Sequence, residues 1–108
     1  MRAGLAIVAA SALLAACAPA DRGPAVLAAA HCGACHQIPG IRGADGKVGP
    51  SLAGVGRRTT LAGVLPNRPD NLTAWIRTPQ AIKPGDAMPD SKLSEQDARD
   101  AAAWLEAR

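Results

Sequence analysis

The chain has 108 residues, a formal net charge of +3, no Phe or Tyr, and two tryptophans, Trp75 and Trp104. That length holds one small domain with a modest protein core, and so few aromatics leave something else to fill the middle. The same scarcity leaves no aromatic-basic surface for a nucleic acid, which is not expected as a partner.

Residues 1–16 read as a leader rather than as part of the domain. Arg2 precedes LAIVAASALLAAC, an apolar run shorter than a comfortable membrane span but the length of a signal-peptide hydrophobic region. The run ends in Leu14-Ala15-Ala16-Cys17, which resembles a bacterial lipobox, and makes Cys17 the expected site of lipidation. Several acyl chains on that residue would anchor the protein durably to a membrane. Ala18-Pro19-Ala20 is an alternative, ordinary small-x-small cleavage site, which would release a soluble periplasmic protein without Cys17. Both readings place the working compartment outside the cytoplasm.

Residues 17–24 read as a lipidated terminus and linker, and 25–108 as the domain. AVLAAAHCGACH (25–36) is expected as a helix running into the cysteine pair, with Pro24 in its first turn. Gln37 to about Leu65 is rich in Gly and Arg without apolar period, and is read as loop with short helical turns at most. PDNLTAWIR (69–77) is a helix: Pro69 suits its first turn, Leu72, Trp75 and Ile76 share a face, and Pro79 stops it. TPQAIKPGDAMPD is a loop punctuated by Pro and Gly. The last helix starts at Ser94, with Asp97 as its capping-box-like partner, and carries an apolar stripe of Ala98, Ala101, Ala102, Trp104 and Leu105. No strand pattern or repeat is visible. Helices and long loops alone make this an all-α chain with few elements for a freestanding fold.

The chemistry concentrates in His31-Cys32-Gly33-Ala34-Cys35-His36. A disulfide across Cys-x-x-Cys tends to be a reactive redox pair on an α/β scaffold, which is missing here. A structural zinc site needs about four ligands arranged tetrahedrally, and the two cysteines and two histidines are crowded on too short a tether. Cys-x-x-Cys-His is also the signature of covalent haem attachment. Cys32 and Cys35 would form thioethers with the two vinyl groups, and His36 would ligate the iron from the proximal side. His31 reads as a surface residue. A sixth ligand is then sought, and Met88, the one methionine left after the leader, sits in a polar loop between prolines about fifty residues past His36. His/Met pairing raises the reduction potential and leaves no open iron position, which points to an electron carrier rather than an enzyme.

From about Ala25 onward the chain resembles a class I c-type cytochrome. Gly63-Val64-Leu65-Pro66-Asn67, Trp75-Ile76-Arg77, Pro79-Gln80-Ala81-Ile82-Lys83-Pro84-Gly85 and Met88-Pro89 resemble, more narrowly, the cytochrome c domain of bacterial haem-copper oxidase subunit II. The resemblance implies three to four helices around one covalent haem c, with the first and last helices crossing. It also implies that the Pro50 carbonyl accepts a hydrogen bond from His36, that Leu52 and Trp75 pack on the haem, and that Arg57, with Arg58 second to it, faces a haem propionate. Two departures stand out. Ala28 occupies the usual aromatic position before the first haem cysteine, and the small glycine of the helix crossing is replaced near Pro24, with Trp104 filling the gap.

Charge bears on partners. Between Arg42 and Lys83 lie seven basic residues (Arg42, Lys47, Arg57, Arg58, Arg68, Arg77, Lys83) against Asp45 and Asp70, whereas acidic residues dominate from Pro84 onward. Such polarity orients approach to an acidic partner surface. The expected function is one-electron transfer in a respiratory chain, between a donor complex and a terminal oxidase. Two alternatives remain: a haem-based sensor with a labile sixth ligand, and a non-haem redox or zinc lipoprotein.

Overall fold

The computed structural model describes Gly4 and residues 19–108. The leader, the lipidation site Cys17 and most of the lipobox lie outside the described residues.

Among the described residues four α-helices carry the fold: α1 (Pro19–Ala29), α2 (Pro69–Arg77), the short α3 (Pro79–Ile82) and α4 (Glu95–Glu106). The α4 start follows the sequence reading closely. Ser94 is its N-cap, and its hydroxyl accepts the Asp97 amide at 3.1 Å, which satisfies one of the helix's orphan N–H groups. Helix α2 has the expected bounds, opened by Pro69 and closed before Pro79. Pro79 does more than stop it, since it opens α3 inside the stretch read as plain loop.

Helix α1 departs from expectation at both ends. It begins at Pro19, so most of the stretch read as a linker is helical and Pro24 lies in the helix interior, where its missing N–H removes one rung. It ends at Ala29, before the cysteines. His31 adopts a left-handed conformation (φ 58°, ψ 32°) that a helix cannot continue through, and Cys32–Ala34 form a separate 3-10 turn. The physical reason for the early start is tertiary. Arg22 donates to Asp100 at 2.6 Å and to Asp97 at 3.2 Å, both on α4, and Gly23 is buried against Trp104.

Gly23 also corrects the reading of the helix crossing. A methyl group there would overlap Cβ of Trp104 and lie 3.0 Å from the Asp100 carbonyl oxygen. The small residue that lets α1 and α4 meet is therefore present, as Gly23. Around this crossing sit Val26 and Leu27 of α1 and the full predicted stripe of α4: Ala98, Ala101, Ala102, Trp104 and Leu105 are all buried. Leu72 and Ile76 bring α2 onto the same core. The alanines keep the helices close where larger side chains would hold them apart.

Residues 37–68 are mostly loop, as the sequence indicates, with two additions. Thr60–Leu61 and Leu65–Pro66 pair as a minimal antiparallel hairpin, in register Thr60 with Pro66 and Leu61 with Leu65, its turn carried by Ala62 and Gly63 at positive φ. Strands of two residues have no periodicity to read. A 3-10 turn at Val55–Arg57 places Gly56 against the end of α4, where its amide donates to the Arg108 carbonyl at 3.0 Å. That bond satisfies a carbonyl beyond the last helical turn.

Candidate haem site

The proximal side is built almost entirely from backbone. After the left-handed His31, the 3-10 turn presents Cys32, Cys35 and His36 within one turn, with the Cys35 and His36 amides both donating to the Cys32 carbonyl, at 3.2 and 3.0 Å. The 44–52 loop is laid along this turn. Gly46 N–H reaches the carbonyls of Gly33 (3.0 Å) and His36 (3.2 Å), Gly49 N–H donates to Cys35 (2.7 Å), and Leu52 N–H to Gln37 (2.8 Å). Such contact demands glycine. A methyl on Gly33 would strike Ala44, one on Gly46 would strike the Cys35 backbone, and one on Gly49 would enter the His36 ring, 2.8 Å from Nδ1.

That loop delivers the Pro50 carbonyl to His36 Nδ1 at 2.7 Å. A carbonyl only accepts, so Nδ1 donates, and in the neutral ring the lone pair then lies on Nε2. The resemblance implied this contact, and it fixes both the tautomer and the plane of the ring.

Cys32 and Cys35 are half-buried free thiols, not joined to each other. Burial pushes the Cys32 thiol up; a backbone hydrogen bond opposes this and the neighbouring Cys35 adds to it. Among the described residues no group of three or more His, Cys, Asp or Glu converges. Two thiols on one turn beside an imidazole with a free Nε2 fit a covalent haem.

The remaining predicted residues spread over three elements. Leu52 is partly buried against the core. Trp75 is half-buried on α2, and Met88 half-buried in the loop after α3. That loop is tied beside the end of α2, because Ser91 N–H donates to the Arg77 carbonyl at 3.2 Å and Arg77 Nε donates to the Leu93 carbonyl at 3.2 Å. Arg57 is exposed and forms no ion pair among the described residues. Arg58 is engaged instead, its guanidinium donating to the Ser51 carbonyl next to Pro50. His31 is exposed, as read from the sequence. Of the seven basic residues between 42 and 83, all but the half-buried Arg77 are exposed.

Two residues that the sequence reading did not single out belong to this architecture. Asn67 donates from Nδ2 to the carbonyls of Val55 (2.9 Å) and Arg58 (2.8 Å), pinning the hairpin to the 3-10 turn. Gln80 contacts the methionine loop at several points. Both stand in stretches that carry the resemblance, but nothing in the local pattern assigns either of them a role.

A family model described as cytochrome c matches residues 20–108. The chain is 38% identical over 87 residues to cytochrome c oxidase subunit 2 of Alkalihalophilus pseudofirmus, covering 80% of this chain and 25% of that protein. The subunit of the same name from Bacillus subtilis is 34% identical over 82 residues, 72% of this chain and 23% of the relative. A third, from Bacillus sp. strain PS3, is 37% identical over 59 residues, 53% of this chain and 17% of the relative. The chain thus spans at most about a quarter of the length of these relatives. No solved structure matches it. An all-α fold, a Cys-x-x-Cys-His turn and a family match over nearly the whole described chain agree, and the protein belongs to the cytochrome c family of covalent-haem electron-transfer proteins.

Proposed function

We propose that the protein carries single electrons outside the cytoplasm of a bacterium, between a respiratory donor complex and a terminal oxidase, held to a membrane through lipidated Cys17. Haem c, when bound, supplies an iron that exchanges one electron between its ferrous and ferric states. Cys32 and Cys35 would hold the macrocycle by thioethers, and His36 Nε2 and Met88 would be the protein ligands to its iron. The observation that carries this reading is the His36–Pro50 hydrogen bond, which leaves one imidazole nitrogen, in one orientation, free for a metal.

The chain's own residues account for the rest of the design. Backbone contacts from Gly46 and Gly49 hold His36 still, so little of its surroundings has to move when the charge at the centre changes. Leu52 and Trp75 supply apolar cover, which excludes water. Arg57, exposed and without an ion pair among the described residues, is the guanidinium for a propionate. The basic residues of the 42–83 loops orient the encounter with an acidic partner. The oxidase assignment draws on the relatives, whose names are those of oxidase subunits.

The membrane assignment has support in α1. Cleavage after Ala20 would cut within this helix, close to the Arg22 and Gly23 contacts with α4, whereas cleavage before Cys17 leaves it whole. Among the described residues no helix is long and apolar enough to cross a membrane.

The test is an optical spectrum of the protein matured with haem-attachment machinery, oxidised and then reduced, with and without carbon monoxide. A c-type spectrum with a weak far-red methionine-to-iron band, lost in Met88→Ala, and no response to carbon monoxide is the expected result. Ready carbon monoxide binding would replace the carrier by a ligand sensor; absence of haem would sink both. Mass spectrometry of the membrane fraction, with a Cys17→Ser control, tests the anchor.

A further inference from the structure

The loop that bears Met88 has no regular secondary structure of its own between Lys83 and Ser94, apart from a turn in which the Asp86 amide donates to the Lys83 carbonyl at 3.1 Å. Its backbone groups are satisfied from elsewhere, and mainly by one side chain. Gln80, half-buried on α3, donates from Nε2 to the Asp86 carbonyl at 2.6 Å and to the Met88 carbonyl at 2.8 Å. Its Oε1 accepts the Gly85 amide at 3.0 Å. The Gln80 main-chain amide donates to Asp90 Oδ1 at 3.2 Å. Both N–H donors and the oxygen of the side-chain amide are therefore spent on the segment 85–88, and the backbone holds the segment's far side at Asp90.

Within the loop, Asp86 Oδ1 accepts the Met88 amide at 3.0 Å. Met88 thus has its N–H tied to Asp86 and its C=O tied to Gln80, while Asp86 is itself held by Gln80. We infer that Gln80 is the positioning residue of Met88: it sets the backbone from which the thioether is presented, and so determines how firmly the sulfur keeps its place against a competing ligand. This rests on the reading of Met88 as the distal ligand. A methionine side chain has three rotatable bonds and little shape of its own, so a fixed backbone is what limits its excursions. Carboxamide chemistry is required. Glutamate has nearly the same shape but would present carboxylate oxygen to two carbonyls, removing both donor bonds at once.

The experiment compares the holoprotein with Gln80→Glu, Gln80→Ala and Thr73→Val, titrating ferric protein with imidazole and recording the far-red band and covalent haem content. Thr73→Val is the control: it removes the Thr73 hydroxyl bond to the Pro69 carbonyl (2.7 Å) in α2 without touching the methionine loop. In both Gln80 variants covalent haem is expected to be retained and the band weakened. Imidazole is expected to bind about tenfold to a hundredfold more tightly, the scale of losing one to two net hydrogen bonds from the loop. Hydrogen exchange at the Gly85 amide is expected to quicken. Thr73→Val is expected to lower thermal stability with imidazole affinity unchanged.

Gln80→Glu and Gln80→Ala with wild-type band and imidazole affinity would overturn the inference while leaving the ligand reading intact. A wild-type protein without the band, or one whose band survives Met88→Ala, would overturn the ligand reading and the inference with it. Should Gln80→Ala fail to mature, the near-isosteric Gln80→Glu decides. Should both fail to mature while Thr73→Val matures, Gln80 is a folding residue, and the positioning role is rejected.

Discussion

The two regions that the proposed function sets on either side of the haem are held by different means. On the proximal side the 44–52 loop is bonded to the Cys-x-x-Cys-His turn through main-chain groups, and glycines at 33, 46 and 49 sit where a methyl would collide. On the side proposed as distal, the loop around Met88 is held by side chains, chiefly Gln80 and Asp86. A backbone-on-backbone fit has no intermediate settings, because any added carbon must displace a strand of chain. A side-chain tether can be shortened, recharged or removed while the path of the chain stays the same. The proximal half should therefore respond to substitution abruptly and the distal half by degrees.

The largest effects probe that contrast directly. Replacing His36 with Ala, or both Cys32 and Cys35 with Ser, is expected to abolish stable covalent haem, read as loss of haem staining on a denaturing gel. Met88→Ala is expected to keep the covalent haem and open the iron to carbon monoxide. Equal losses of haem in the two sets would erase the distinction between the halves.

Gly49→Ala comes next. Its methyl would enter the His36 ring, so the loop must move and the bond to the Pro50 carbonyl must lengthen. The expected cost is about 1–3 kcal/mol of stability, as for overpacking elsewhere, with a rise in reduction potential, because a weaker bond leaves the imidazole less basic, or a fall in holoprotein yield alongside. Wild-type stability and potential in Gly49→Ala would show that the proximal loop is more yielding than its contacts indicate.

Away from the site, Gly23→Ala is expected to cost a similar amount, about 1–3 kcal/mol. That corresponds to a melting temperature lower by roughly 4–8 °C per kcal/mol for a domain of this size. The cause here is separation of α1 from α4, so the haem spectrum should stay unchanged, and calorimetry with the spectrum as a control checks both parts.

The smallest effect concerns Glu106, near the C-terminal end of α4. Its Oε1 is buried without a partner among the described residues, and burial pushes its carboxyl above the ordinary value of 4.5. The folded state then binds this proton more tightly than the unfolded one, so the favourable contribution is complete below pH 4.5 and fades as pH rises through the folded value. Glu106→Gln is expected to be slightly more stable than wild type at pH 7, with the advantage gone at pH 4. A stability difference that does not change with pH would count against the assignment.

Several of these positions are legible in the amino-acid sequence, and for local reasons. Cys32, Cys35 and His36 lie within five consecutive residues, and their spacing is the signature on which the haem reading rests. Ser94 and Pro69 act within one helical turn, so the starts of α4 and α2 follow from the residues at hand. The stripe from Ala98 to Leu105 obeys the helical period, and all five of its predicted members are buried.

What only the tertiary structure decided joins residues far apart in the chain. Gly23 is indistinguishable from a linker glycine until Trp104 is seen against it, and Arg22 from a surface charge until Asp100 accepts from it. Helix α1 therefore starts earlier than local pattern allows, and His31, at positive φ, ends it where a helical apolar run continues. The two-residue hairpin and the Gln80 contacts likewise leave no periodic trace, because each satisfies backbone groups singly. Local sequence sufficed to point to a covalent haem; the relative placement of the parts around the Cys-x-x-Cys-His turn depends on contacts that close only when the chain folds.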